Sequence, residues 1–151
     1  MKALVCQKPL SLELVNVSGS ITPVGWVPFN VARVGICGTD YHIYAGNQPF
    51  LSYPRVMGHE VSGYVNSEYQ GKDFAAGDLV IANPYLSCGK CHACFLEKPN
   101  CCENISVIGV HCDGAMAEQF ALPPQNLILA EGLSSEQAAM IEFMAIGRHA
   151  V

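Results

Sequence analysis

Charge is what this chain has least of. Only 14% of its 151 residues are charged, against about 25% in a typical globular domain. Eight Lys and Arg stand against thirteen Asp and Glu, a net charge of −5, and no basic run occurs anywhere. Phosphate recognition needs clustered cations, so nucleic acid is excluded as an expected partner. Long apolar runs are missing too. The stretch from Leu14 to Ala32 carries no Asp or Glu and no Lys or Arg before Arg33, but Gly19, Pro23, Gly25 and Pro28 interrupt it, with Asn16 and Asn30. It does not read as a membrane span. Near the start, Lys8 and Pro9 break the apolar stretch before it reaches signal-peptide length. No internal repeat and no low-complexity tract is present. The expectation is a cytoplasmic chain with no membrane partner, whose uncharged surface meets another domain or a second copy of itself.

Half of the residues are hydrophobic, which excludes disorder, and the length is enough to bury one core. Fourteen Gly and nine Pro punctuate short apolar runs up to about residue 130, as in a β-rich domain. Lys2–Cys6, Leu10–Val15, Val31–Ile36, Val61–Val65, Asp78–Ala82 and Ala117–Leu122 read as strands. Gly77-Asp78 and Asp113-Gly114 read as turns. The tail changes period. Ser134-Ser135-Glu136-Gln137 has capping-box spacing, and Ala138 to Ile146 forms helix readily. One helix over 135–151 is expected, with no stop signal after Gly147, so the chain reads as ending inside a helix.

Eight cysteines narrow the function more than the charge does. In a reducing compartment, clustered thiols hold metal more often than they form disulfides. Cys88-x2-Cys91-x2-Cys94-x7-Cys102 places four thiols on one loop, with Cys101 as an alternative to its neighbour. Four soft ligands at short spacing suit a tetrahedral Zn²⁺, and a closed set of four is structural because no position is left for substrate. A second constellation is Gly35-Ile36-Cys37-Gly38-Thr39-Asp40-Tyr41-His42, followed by Gly58-His59-Glu60. A thiolate, an imidazole and a carboxylate could hold one Zn²⁺ and leave a position open, as catalysis requires. Taken singly, a cysteine after an apolar run or a lone histidine is more often structural.

Gly-Ile-Cys-Gly-Thr-Asp, then Gly-His-Glu-x2-Gly, then the four-cysteine loop resembles, in order, the zinc-dependent medium-chain alcohol and polyol dehydrogenases. Tyr41-His42, Ala45-Gly46 and Ala139-Met140-Ile141-Glu142 are closest to members acting on sugar alcohols, sugar acids and threonine. The resemblance implies a mainly β fold: a GroES-like β-barrel over residues 1–151, with a zinc-binding lobe at about 84–104 and a C-terminal helix. It implies catalytic-zinc ligands at Cys37 and His59, and Glu60 within reach of the metal. Glu142 falls where a further ligand is placed, and it is the only acid between Gln137 and Gly147 in a nearly all-apolar stretch of helix. Thr39 and His42 match a proton relay, and Cys88, Cys91, Cys94 and Cys102 match the structural zinc. The implied cofactors are Zn²⁺ at both sites and NAD(P), and the implied substrate is a small alcohol.

The nicotinamide cofactor of such enzymes sits on a Rossmann domain marked by Gly-x-Gly-x-x-Gly, and that motif is absent from these residues. NAD(P) is therefore expected only if a further or partner Rossmann domain supplies its site. Smaller departures from the family are Pro28 in the stretch Trp26 to Ala32, which the resemblance implies is a strand, Asn66-Ser67-Glu68-Tyr69 in place of a Val-Gly hairpin, and Ala115 where a second glycine is common. Two expectations follow. One is the catalytic domain of a zinc- and NAD(P)-dependent secondary-alcohol dehydrogenase, inactive by itself. The other is a non-enzymatic zinc-binding module serving in binding or assembly.

Overall fold

The computed structural model describes residues 1–18 and 22–151. The part of the Leu14–Ala32 stretch at 19–21, Gly19 included, lies outside them. Among the described residues no helix is long and apolar enough to cross a membrane. The chain opens with a hairpin of β1 (Lys2–Lys8) and β2 (Ser11–Asn16), followed by β3 (Val27–Gly35) and α1 (Gly38–Ala45). The short β4 (Arg55–Val56) precedes a second hairpin of β5 (Glu60–Val65) and β6 (Leu79–Ala82). Next, β7 (Tyr85–Leu86) and β8 (Ser106–Val107) enclose the cysteine loop with its one-turn α2 (His92–Phe95). The chain then runs through β9 (Gln119–Leu122), β10 (Leu127–Leu129), α3 (Ser135–Ala139) and α4 (Ile141–His149).

Two antiparallel sheets carry the fold. One has the order β10-β6-β5-β3-β9, the other β2-β1-β4. A bridge between Ala3 and Ala117 and the Leu4 N–H donating to Met116 O at 2.8 Å stitch them into a curled half-barrel. Val27, Phe29, Val61, Val65, Val80, Ile108 and Leu122 fill its interior, with Phe29 and Phe120 meeting edge to face. Strand β5 lies between β3 and β6 and is covered on both sides. Val61 and Val65 face the core, while Ser62 Oγ donates to Ser135 O at 2.7 Å and docks α3. This is the mainly β, barrel-like architecture expected, and its cysteine lobe projects from the β7–β8 base.

All six expected strands are present, with shifted ends. Strand β3 begins at Val27 rather than Val31 and includes Pro28. The proline is tolerated because its carbonyl accepts from the Asn66 N–H at 2.9 Å, one residue past the end of β5. The donor it lacks would point where the partner strand has already stopped. Asn66 also makes the replaced hairpin workable: its Oδ1 accepts the Glu68 N–H at 2.9 Å, a local turn that Asx side chains favour. The expected single helix is divided. Ala138 and Ala139 are buried on β6 and β5, the Met140 N–H closes α3 on Gln137 O, and α4 starts anew. Met140 at the start of α4, and Phe143, Met144 and Ile146 along it, remain exposed.

One elbow sets the entry to β5. Gly58 has φ of +95°, and a Cβ there would stand 2.8 Å from Met116 Cγ and 2.9 Å from Val34 Cγ1. Both the left-handed backbone and the crowding oppose a side chain. Gly58→Ala should lower unfolding free energy by about 2 kcal/mol. Denaturant unfolding checks this, and an unchanged midpoint would refute it.

Candidate metal centres

The first centre grows from the β3–β5 register. Gly35 and Glu60 are directly opposite in that ladder, at the end of one strand and the start of the other. Two residues beyond Gly35 comes Cys37, and immediately before Glu60 comes His59. Pairing the strands therefore gathers the three side chains whatever lies between them in sequence. Gly35 needs to be glycine because a Cβ there would collide with the Glu60 carboxylate. The Cys37 sulfur, a His59 ring nitrogen and a Glu60 oxygen all lie within 4.8 Å of one another.

Helix α1 fixes the cysteine. Cys37 is its N-cap, and Asp40 Oδ2 accepts the Cys37 backbone N–H at 2.9 Å. Asp40 is 2% exposed, His59 6% and Glu60 8%. Asp40 Oδ1 and His59 Nδ1 are buried with no hydrogen-bond partner. Buried polar atoms are nearly always satisfied, so an orphaned imidazole nitrogen beside a thiol and a carboxyl fits a site completed by an ion. Thr39 lies half-buried on the first turn of α1 and His42 exposed on the last. Three residues apart, they share one helix face.

Glu142 is not among these converging donors. It lies half-buried on α4, where its Oε1 accepts the Tyr85 hydroxyl at 3.2 Å. Burial raises the Tyr85 hydroxyl above its ordinary pKa, reinforced by the Glu142 charge and hydrogen bond and then by Cys37. Tyr85 was invisible in the sequence, since nothing local marks a tyrosine that meets a carboxylate 57 positions away. Asp40 had a local signal, its place three residues after Cys37 at a helix start. Beside Tyr85, a cleft of about 350 Å³ opens between the barrel and the lobe, lined by Asn83, Pro99, Asn100, Ile105 and Val107.

The second centre is the lobe. Cys88, Cys91, Cys94 and Cys102 bring their sulfurs within 4.8 Å of one another. Cys91 Sγ is 3.5 Å from Cys94 Sγ and 3.9 Å from Cys102 Sγ. A tetrahedron with zinc–sulfur bonds of about 2.3 Å has edges of about 3.8 Å, so these thiols suit that ion. The N–H groups of Cys88 and Asn104 donate to Cys102 Sγ at 3.2 and 3.4 Å. Cys101, the alternative in the sequence, is exposed while Cys102 is buried, so the loop turns Cys102 inward. A backbone hydrogen bond from Lys90 leads the effects that bring the Cys88 thiol down to about 6. Backbone bonds from Cys94 and Glu103 lower Cys91. Burial, followed by the Cys91 side chain, pushes Cys94 up to about 11. The cluster thus divides into ready and reluctant thiolates.

The comparisons agree with this architecture. The family model described as the alcohol dehydrogenase GroES-like domain matches residues 23–132, and the chain belongs to that family. L-galactonate-5-dehydrogenase of Escherichia coli is 44% identical across 100% of this chain, which covers 45% of that protein. An uncharacterized zinc-type alcohol dehydrogenase-like protein of Haemophilus influenzae is 36% identical, again with 100% of this chain and 45% of that one covered. Among solved structures, an Escherichia coli alcohol dehydrogenase complexed with cofactor NADH superposes with a TM-score of 0.88 at 36% identity, over 98% of this chain and 44% of that one. The chain spans less than half the length of these relatives.

Proposed function

We propose that these residues form the metal-holding domain of a zinc-dependent dehydrogenase that oxidises a secondary alcohol, of polyol, sugar-acid or threonine type, with NAD or NADP. The observation that carries the reading is the convergence of Cys37, His59 and Glu60 around a buried, unpartnered imidazole nitrogen. Zinc bound there would supply Lewis acidity toward the alcohol oxygen. Cys37 and His59 are the proposed anchors. Glu60 adds a carboxylate to the set, and Glu142 is a further ligand from α4. Asp40 holds Cys37 in place through its backbone. Thr39 takes the alcohol's proton through its hydroxyl and passes it along the same face of α1 to His42, which meets solvent. Cys88, Cys91, Cys94 and Cys102 hold a structural zinc that folds the lobe. All eight thiols are free, which suits a reducing cytoplasm.

Hydride must leave the carbinol carbon for a nicotinamide ring about 3–3.5 Å away. These residues contain no glycine-rich turn for the cofactor's pyrophosphate, so the ring is held by a nucleotide-binding domain outside them. The sugar-acid side of the reading is supported by the L-galactonate-5-dehydrogenase likeness, and the nicotinamide by the NADH-bound structure. The exposed apolar face of α4 is the surface proposed to meet that domain or, in its absence, a second copy of the chain.

Metal analysis tests the ligand sets. Cys37→Ser should remove about one zinc per chain and leave the fold intact, while the lobe keeps its metal through dialysis. If zinc loss follows Cys88→Ser alone, the Cys37 assignment fails. The metal-replete chain by itself should form no NADH from polyols, sugar acids or simple secondary alcohols. Turnover abolished by His59→Ala would show instead that these residues grip the cofactor themselves. Light scattering at high concentration should show association through α4, and a strict monomer would argue against that surface.

A further inference from the structure

The edge of a sheet can still accept a strand, because its outer N–H and C=O groups have no ladder to join. Most edges of this fold are closed or short. At β4, the Val56 N–H donates to Asp113 Oδ1 at 3.1 Å and the Val56 carbonyl accepts from the Gly114 N–H at 2.7 Å. The chain leading into β9 bridges to β1 at Ala117, and β10 has only three residues. Strand β2, with six, has β1 as its one neighbour among the described residues. Its phase is fixed by Met1 and Val17, which exchange two backbone hydrogen bonds at 3.1 and 2.9 Å. Alternation from that pair turns the backbone groups of Val15 and Glu13 toward β1, and those of Leu12, Leu14 and Asn16 outward. Strand β1 agrees with this phase, since its Lys2 and Leu4 N–H groups donate away from β2, to Glu118 and Met116.

This edge lacks the usual protection. Lysine, proline and bulges keep natural edges apart, whereas β2 reads Ser-Leu-Glu-Leu-Val-Asn and stays in register from Leu12 onward. Leu14 is 67% exposed and Leu12 42%. Leu14 stands opposite Leu4, and the two line a cleft of about 400 Å³ with Val31, Val34 and Met116. We propose that β2 is a docking edge for a second copy of this chain, paired antiparallel about a two-fold axis at Leu14. Leu14 then faces Leu14 of the other copy, Leu12 faces Asn16, and Glu13 faces Val15. Every outward group of Leu12, Leu14 and Asn16 enters the new ladder, and no like charges meet. Leu4 and Leu14 of both copies form one apolar strip across the seam. Neighbouring registers fit worse. An axis at Glu13 sets two carboxylates face to face and leaves Asn16 outside the ladder. An axis at Leu12 needs Leu10, whose φ is +65° and whose N–H is already held by Tyr44 O at 2.7 Å. Self-complementarity of the strand is thus what selects a second copy as the occupant. The inference is independent of the metal roles proposed above and of the α4 surface.

Residue-resolved hydrogen exchange of the whole chain, followed by NMR, tests the pairing separately from any association through α4. The Leu12, Leu14 and Asn16 amides should slow together by up to about tenfold when protein concentration rises about a hundredfold, since only free monomer exposes them. The Glu13 and Val15 amides, turned toward β1, should stay protected throughout. Leu14→Lys places two ammonium groups on the axis and should abolish the concentration dependence while Glu13 and Val15 remain protected. Rates at Leu12, Leu14 and Asn16 that ignore concentration overturn the proposal, even if light scattering shows association, which then runs through another surface. Slowing at Leu12 and Leu14 without Asn16 overturns the Leu14 axis in favour of one at Glu13. An undiminished response in folded Leu14→Lys overturns it as well. If that variant unfolds, Glu13 and Val15 lose protection, and the wild-type concentration series decides alone.

Discussion

The register between β3 and β5 is the constraint on which everything else depends. Setting Gly35 opposite Glu60 decides at once which residues end one strand and begin the other. Cys37, His59 and Glu60 then meet as a consequence of backbone pairing. A one-residue slip would send every side chain of β5 to the other face, and that slip is blocked from both sides. Val61 and Val65 are committed to the core, and Ser62 to the backbone of α3. Gly35 completes the lock, because only a residue without a Cβ leaves room for the Glu60 carboxylate. Packing, register and site are thus one problem with one solution.

The scarcity of charge gives that solution its chemical meaning. In a chain with so few ionisable groups, three of the best-buried polar side chains, Asp40, His59 and Glu60, lie within or beside a single cluster. Burying such groups without compensation is costly, and a stable fold would not collect them there without return. The lobe solves a different problem. It is a long loop with little apolar content of its own, held at its base by the two-residue pairing of β7 and β8. Four thiols at the spacing of a metal tetrahedron would, with an ion bound, supply the cohesion that a core would otherwise provide. In the proposed reading one centre is closed and serves stability, and the other leaves a position open for chemistry.

Much of this could be read from the residues. Six of the strands announced themselves by short apolar runs between glycines and prolines, and the four lobe thiols by their spacing. The short β4, β7, β8 and β10 went unread. Cys37, His59 and Glu60, weak signals singly, were legible only through the family resemblance. Helix α1 went unread because its eight residues, Gly38–Ala45, include a glycine and two tyrosines and lack an amphipathic stripe. The break at Met140 was hidden for the opposite reason: the sequence there forms helix well throughout, and only the docking of Ala138 and Ala139 ends the first segment. Pro28 argued locally against a strand, but the argument depended on where β5 stops, which no local pattern contains. The contact between Tyr85 and Glu142 is tertiary in the same sense. Spacing along a chain reveals ligands that share a loop and conceals those brought together by a fold.

The central claim is that two chemically distinct metal centres coexist in this chain, one with four sulfurs and one with a single sulfur, an imidazole and carboxylate oxygen. Zinc K-edge X-ray absorption of the fully loaded protein tests it most directly. The account predicts an average of about 2.5 sulfurs per zinc at about 2.3 Å, the mean of four and one, together with imidazole scattering at about 2.0–2.1 Å. Four sulfurs per zinc with no imidazole contribution would mean that only the lobe binds metal, and would contradict the account.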